Sequence, residues 1–244
     1  MILEEKFTLS NGVEIPKLGL GTWFINDKDV VQAVKEAASI GYHHIDTAQA
    51  YGNESGVGEG IKTCGVKRED MFVTTKLAAE VKSYKEAVES IDSSLKKLGL
   101  DYIDLMIIHS PKPWAKFLEE EHYFEGNREA WRALEEAHKA GKLRSIGVSN
   151  FEEKDIDKIL SSYSVKPMVN QILAHISPHT KIISILPVSP GALILFEGSM
   201  TFFFAGMGIG VSVAVIVTLL YRALSFWSPI FLGLVLYKKL ETDK

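Results

Sequence analysis

Six apolar runs, at 18–23, 43–48, 71–77, 103–109, 145–150 and 168–172, alternate with segments of helical spacing at about 27–40, 54–65, 83–98, 127–140 and 152–162. Parallel neighbours in a sheet need a crossover between them, and a helix is the usual one. Repeated strand–helix units therefore predict an α/β fold with a parallel sheet. A closed eight-stranded barrel and an open doubly wound sheet both satisfy this alternation. In the fourth helical segment Trp131, Leu134, Ala137 and His138 recur at three- and four-residue steps, while Glu135, Glu136 and Lys139 fall elsewhere. That is the pattern of a helix laid on a sheet. Ahead of these units, Thr8 to Ile15 reads as two short strands around Asn11-Gly12, a pair suited to a tight hairpin with positive φ at both central residues.

The alternation stops near Lys181, and between Ser189 and Tyr237 the only charged residues are Glu197 and Arg222. Residues 201–220 are free of charge, and as a helix they would span ~30 Å, the thickness of a bilayer's hydrocarbon. A second run from Ala223 to Tyr237 would span roughly 22 Å, with Trp227 and Tyr237 near its ends and Lys238 and Lys239 beyond. Two domains are expected: residues 1–178 as the α/β unit and 182–240 as a hydrophobic tail that inserts in a membrane through 199–237. Both termini would then face the cytosol, the tail's terminal lysines favouring that side.

Charge and cysteine content narrow the function. Residues 1–180 hold 28 acidic against 22 basic side chains, which gives no basic surface for nucleic acid. Cys64 is the only cysteine, so no intrachain disulfide and no cysteine-based metal site can be built. The first six residues, Met1 to Lys6, lack the basic and apolar regions of a secretory signal, so a cytoplasmic N-terminal domain is expected. No phosphate-binding Gly-Lys-Ser/Thr occurs, and Gly19-Leu20-Gly21 lacks the third glycine of a dinucleotide fingerprint. No metal constellation is read, and His122, His138, His175 and His179 are assigned to surface or loop.

Chemistry concentrates at the C-terminal ends of three successive strands, the edge where parallel α/β folds bind ligands. Asp46 ends the run from His43, and Tyr51 follows in the loop. Lys76 closes the run from Met71, and His109 closes the run from Ile103. Each alone has an ordinary structural reading, as a cap, a solvated lysine or a satisfied histidine. Their shared edge makes them a candidate set.

These residues sit in stretches that resemble the aldo-keto reductases: Lys17 to Trp23, Gly41 to Glu54, Thr75 to Leu77, Ile108 to Pro111, Gly141 to Phe151 and Val169 to Ile172. The resemblance covers nearly all of residues 5–176. It implies a (β/α)8 TIM barrel, here incomplete at about six strand–helix units, and NADPH-dependent reduction of a small aldehyde or ketone. It further implies that Tyr51 donates the proton and that Lys76, paired with Asp46, lowers the tyrosine's pKa. His109 would orient the carbonyl, Trp23 and Trp114 would wall the substrate pocket, and Gly21, Thr22, Asp46, Ser149, Asn150 and Gln171 would serve the cofactor.

After Ile176 the reductase pattern gives way. The segments at Pro187 to Ala192, Phe196 to Gly198 and Leu219 to Trp227 resemble the end of the flippase-like membrane family that includes lysylphosphatidylglycerol synthases. Without the last two strand–helix units, the contacts to the cofactor's phosphates are missing from the pattern. At roughly 1.5–3 kcal/mol for each charge-assisted bond, NADPH affinity no better than millimolar is expected. The alternative reading is a non-enzymatic, membrane-anchored fusion or frameshift remnant.

Overall fold

The computed structural model describes residues 2–173. A two-stranded hairpin, β1 (Lys6–Thr8) and β2 (Glu14–Pro16), precedes a six-stranded parallel sheet. Its strands are β3 (Leu20–Gly21), β4 (His44–Asp46), β5 (Phe72–Leu77), β6 (Ile103–Ile108), β7 (Leu143–Ser149) and β8 (Asn170–Gln171), paired in consecutive order. Between them run α1 (Asp29–Ser39), α2 (Glu54–Thr63), α3 (Tyr84–Leu98), α4 (Phe124–Lys139) and α5 (Glu153–Leu160). The alternation of the sequence is thus realised as a partial (β/α) barrel. All residues of β5 and β6 are buried, as expected of strands covered on both faces. Outward-facing Val73, Met106, Ile108, Ile146 and Val148 pack under the helices, while Phe72, Leu105 and Ile107 meet Val13 and Ile15 of the hairpin on the inner side.

The sheet is curled. β4 and β8 are four strands apart, about 19 Å on a flat sheet, yet Gln171 Nε2 donates to Asp46 Oδ2 at 2.8 Å. At the sheet's N-terminal end the hairpin is tied down by Asn11, whose Nδ2 donates to Arg144 O at 2.9 Å. That use of Asn11 corrects the expected turn. Positive φ occurs at Gly12 (+83°) and not at Asn11, and register Thr8↔Glu14 leaves a longer connection than two residues. Asn11 is spent on a tertiary bond and on accepting the Val13 N–H at 3.2 Å.

The same end holds a buried carboxylate that the pattern did not single out. Asp104 accepts from Arg68 Nη2 at 2.6 Å, Arg144 Nη1 at 2.6 Å and the Val73 N–H at 3.0 Å. On α4, Glu135 is buried rather than on the wet face, because Lys139 and Ser164 both donate to it. His138 is likewise half-buried, its Nδ1 2.8 Å from Leu143 O.

Helix α2 packs closely on the end of α3 at Gly58, where an added Cβ would lie 2.1 Å from the Leu98 carbonyl oxygen. Alanine normally gains about 1 kcal/mol over glycine inside a helix. Here the clash reverses that sign, and Gly58→Ala is expected to cost about 1–3 kcal/mol. A urea unfolding midpoint equal to wild type would refute the close approach.

Among the described residues no helix is long and apolar enough to cross a membrane, and no group of His, Cys, Asp and Glu is arranged to hold a metal ion. The expected spans at 199–237, and His175 and His179, lie outside the described residues.

Candidate active site

Alternation along each strand sends the last inward position of each to the C-terminal mouth of the curled sheet. Asp46 of β4, Lys76 of β5, His109 just past β6, Ser149 of β7 and Gln171 of β8 occupy these positions. Thr22, just after β3, is fully buried, and its N–H and Oγ1 both donate to Asp46 O, at 2.9 and 3.2 Å. Gly21 beside it pairs in register with Asp46. Thr22 therefore fixes the Asp46 backbone.

Lys76 is the hub. Its side chain is 2% exposed, and Nζ donates to Asp46 Oδ1, to Thr47 O at 2.9 Å and to Tyr51 Oη at 3.3 Å. Burial pushes the ammonium's pKa down and the Asp46 carboxylate pulls it back up. Tyr51 arrives on the short helical turn Gln49–Tyr51 that follows β4. Its pKa is raised to about 12, by burial first and by the Asp46 charge second. This reverses the sequence-based expectation of a lowered value. One ammonium 3.3 Å away does not offset removal of the phenolate from water beside a carboxylate.

His109 is 8% exposed, its ring edge-on to Tyr51 at 5.6 Å and to Trp114 at 5.1 Å between centroids. Burial, reinforced by the Lys76 charge, pushes its pKa down to about 4 against a weaker pull from Asp46. It is a neutral imidazole at pH 7. Nδ1 is buried with no hydrogen-bond partner, and Nε2 makes no hydrogen bond to a described residue, so Nε2 is the nitrogen left for a ligand. Trp23 and Trp114 both stand at the rim, 62% and 41% exposed, Trp23 lying 6.3 Å from the Tyr51 ring.

On the other side of the mouth, Asn150 takes a left-handed backbone (φ 59°) that turns its side chain back. Its Nδ2 donates to Ser149 Oγ at 3.1 Å and His109 O at 3.3 Å. With the amide nitrogens of Asn150 and Gln171 engaged, their Oδ1 and Oε1 keep acceptor capacity, and the Ser149 hydroxyl keeps its proton. Two acceptors and one donor match a primary carboxamide, so this donor set fits the nicotinamide end of NADPH.

Sequence reasoning missed three residues behind His109: Glu80, Lys82 and Asn127. Asn127 had a signal, since it sits in phase with Trp131 and Leu134 on the apolar stripe of α4 and is itself buried. Glu80 and Lys82 had none.

The depressed histidine has a measurable consequence. The unfolded chain takes up a proton as pH falls through His109's ordinary 6.5, whereas the folded protein resists until about 4. Stability should therefore be intact above pH 6.5 and fall between 6.5 and 4, by about 2 kcal/mol at pH 5. Burial pushes His44 in the same direction. Chemical denaturation at pH 7 and pH 5 tests this; equal midpoints would contradict it.

Comparison with known proteins is consistent with this geometry. The model of the Aldo/keto reductase family matches residues 17–185, and that of the Lysylphosphatidylglycerol synthase TM region matches 160–233. The chain is 44% identical over 179 residues to the Uncharacterized oxidoreductase YtbE of Bacillus subtilis, covering 71% of this chain and 60% of that one. It is 42% identical over 174 residues to the Glyoxal reductase of Bacillus subtilis, covering 71% and 59%. A crystal structure of a Bombyx mori aldo-keto reductase in complex with NADP superposes with a TM-score of 0.61 at 38% identity, covering 70% of this chain and 58% of that one. The chain spans about three-fifths of the length of these curated relatives.

Proposed function

Because this chain belongs to the aldo/keto reductase family, we propose that its C-terminal sheet edge reduces a small aldehyde or ketone to the alcohol with NADPH. The observation that carries this reading is Lys76, whose ammonium joins the Asp46 carboxylate to the Tyr51 hydroxyl at one buried point. NADPH, when bound, supplies a hydride to the carbonyl carbon. Tyr51 gives its phenolic proton to the carbonyl oxygen, which completes the alcohol, and then recovers a proton from water.

A tyrosine held at about pKa 12 suits this role. It stays protonated at neutral pH, and an alkoxide developing on the substrate is more basic than a phenolate, so the transfer runs downhill. Neutral His109 donates a hydrogen bond from Nε2 to the same oxygen and orients it. Ser149, Asn150 and Gln171 hold the nicotinamide amide, Gly21 leaves room beside it, and Thr22 acts through Asp46. Trp23 and Trp114 exclude water from the carbonyl. The glyoxal reductase among the relatives makes small dicarbonyls the first substrates to try.

Purified full-length chain mixed with NADPH should lose nicotinamide absorbance when methylglyoxal or a simple aldehyde is added. No carbonyl-dependent oxidation would overturn the proposal. The match of residues 160–233 to a membrane region favours a second reading, in which residues 1–178 form the reductase-like domain and 182–240 anchor the chain to a bilayer. Fractionation decides it: the chain should require detergent, and recovery without detergent would remove the anchor.

A further inference from the structure

His109 stands one residue beyond the β6 ladder, on a segment whose internal tie is the Lys112 N–H donating to Ser110 Oγ at 3.3 Å. Ser110-Pro111-Lys112-Pro113 contains two prolines, which lack the N–H that would extend a ladder. Two of its carbonyls nevertheless have partners. Lys82 Nζ donates to Ser110 O at 3.0 Å and to Asn127 Oδ1 at 2.7 Å, and Asn127 Nδ2 donates to Pro111 O at 2.9 Å. Ser110 and Asn127 are buried, so these bonds are shielded from competing water. A third tie runs from the same β5–α3 loop, where Glu80 Oε1 accepts the Trp114 N–H at 3.2 Å. Gly126 at the start of α4 presses on Lys82 so closely that a Cβ would lie 2.9 Å from the Lys82 carbonyl oxygen.

We infer that Lys82 and Asn127 are positioning residues, a clamp from α4 and the β5–α3 loop that sets where His109 and Trp114 stand over the reacting carbonyl. Neither touches the Asp46–Lys76–Tyr51 group. They act through the peptide that follows His109, whose own N–H donates to Leu77 O at 3.0 Å and whose carbonyl accepts from Asn150 at 3.3 Å. The clamp thus supplies the third restraint on a ring that carries a buried, unpartnered Nδ1. Glu80 and Asp155 are the acidic groups whose charge acts on Lys82, and Lys76 and Asp46 are the charges that act on His109. Asn127→Ala removes no charge, so a change in His109 in that variant reports position.

The inference rests on the carbonyl-reducing reading for its importance, and its test does not depend on turnover. Full-length chain labelled at histidine and tryptophan is followed by NMR. In wild type, His109 titrates well below 6.5 and shows a cross-relaxation contact to the Trp114 ring. In Lys82→Met and in Asn127→Ala, the His109 midpoint should rise by about one unit or more and the ring contact should be lost. Lys82→Arg should restore both. The Trp131 indole, which donates to Val165 O at 3.1 Å, serves as the fold control. A folded Lys82→Met that keeps the wild-type titration and ring contact would overturn the inference; if that variant does not fold, Asn127→Ala decides on the same readouts. Where wild type turns over carbonyls, kcat/KM should fall by about 10²-fold in both variants, the scale of an ångström of misplacement. A wild type with no turnover counts against the carbonyl reading alone.

Discussion

Tyr51→Phe is expected to lower carbonyl-reducing turnover by about 10²–10⁴-fold, the usual contribution of a positioned proton donor. The variant removes one oxygen. Lys76 keeps Asp46 and the Thr47 carbonyl as partners, so no buried charge is orphaned, and stability should change by no more than about 1 kcal/mol. The ring contacts with Trp23 and His109 also remain. KM should therefore move far less than kcat, since binding of the ground-state carbonyl keeps the His109 donor. Steady-state kinetics with NADPH in excess make the comparison. Turnover within threefold of wild type would remove Tyr51 from the proton-transfer step.

Asp104→Ala should produce the largest loss of stability of the substitutions considered, about 3 kcal/mol, with little effect on binding at the opposite mouth. The carboxylate is fully buried and serves two guanidiniums and the Val73 N–H of β5. Breaking a buried ion pair from one side costs about 3–5 kcal/mol. The lower figure applies because Arg68 and Arg144 are 22% and 42% exposed and can recover water. For a domain of this size that is a fall of about 6–12 °C in Tm. Asp104→Asn, which keeps an acceptor for Val73, should lose less than alanine does. Calorimetry showing Asp104→Ala within 2 °C of wild type would contradict the account.

Much of this was legible in the sequence because the signals were periodic. All six runs became strands and all five helical segments became helices, since strand and helix spacing are local properties of consecutive residues. The placement of Asp46, Lys76 and His109 on one edge was legible, because they end apolar runs and parallel strands bring such ends together. What escaped was set by tertiary partners. Asn11-Gly12 has the composition of a tight turn, but the Asn11 side chain is engaged 133 residues away. Asp104 looks like any polar residue until Arg68 arrives from the turn before β5 and Arg144 from the start of β7. The sign of the Tyr51 shift was misread for the same reason: a neighbouring lysine is visible in a motif, whereas burial, which dominates here, is not. The expected weakness of phosphate binding and the membrane spans concern residues beyond 173, outside those described.

The bond from Gln171 to Asp46 ties together residues 125 positions apart. Every other element of the sheet pairs with its immediate predecessor, so the sheet can grow strand by strand as the chain leaves the ribosome. At about 5–20 residues per second, Gln171 is made roughly 6–25 s after Asp46. For that interval Asp46 and Lys76 can already be paired while one carboxylate oxygen has no amide to meet. The Asp46 carboxylate is thus finished last, by a residue that arrives only when the sixth strand of the sheet does, and a nascent chain paused before that point carries the Asp46–Lys76 pair without its full support.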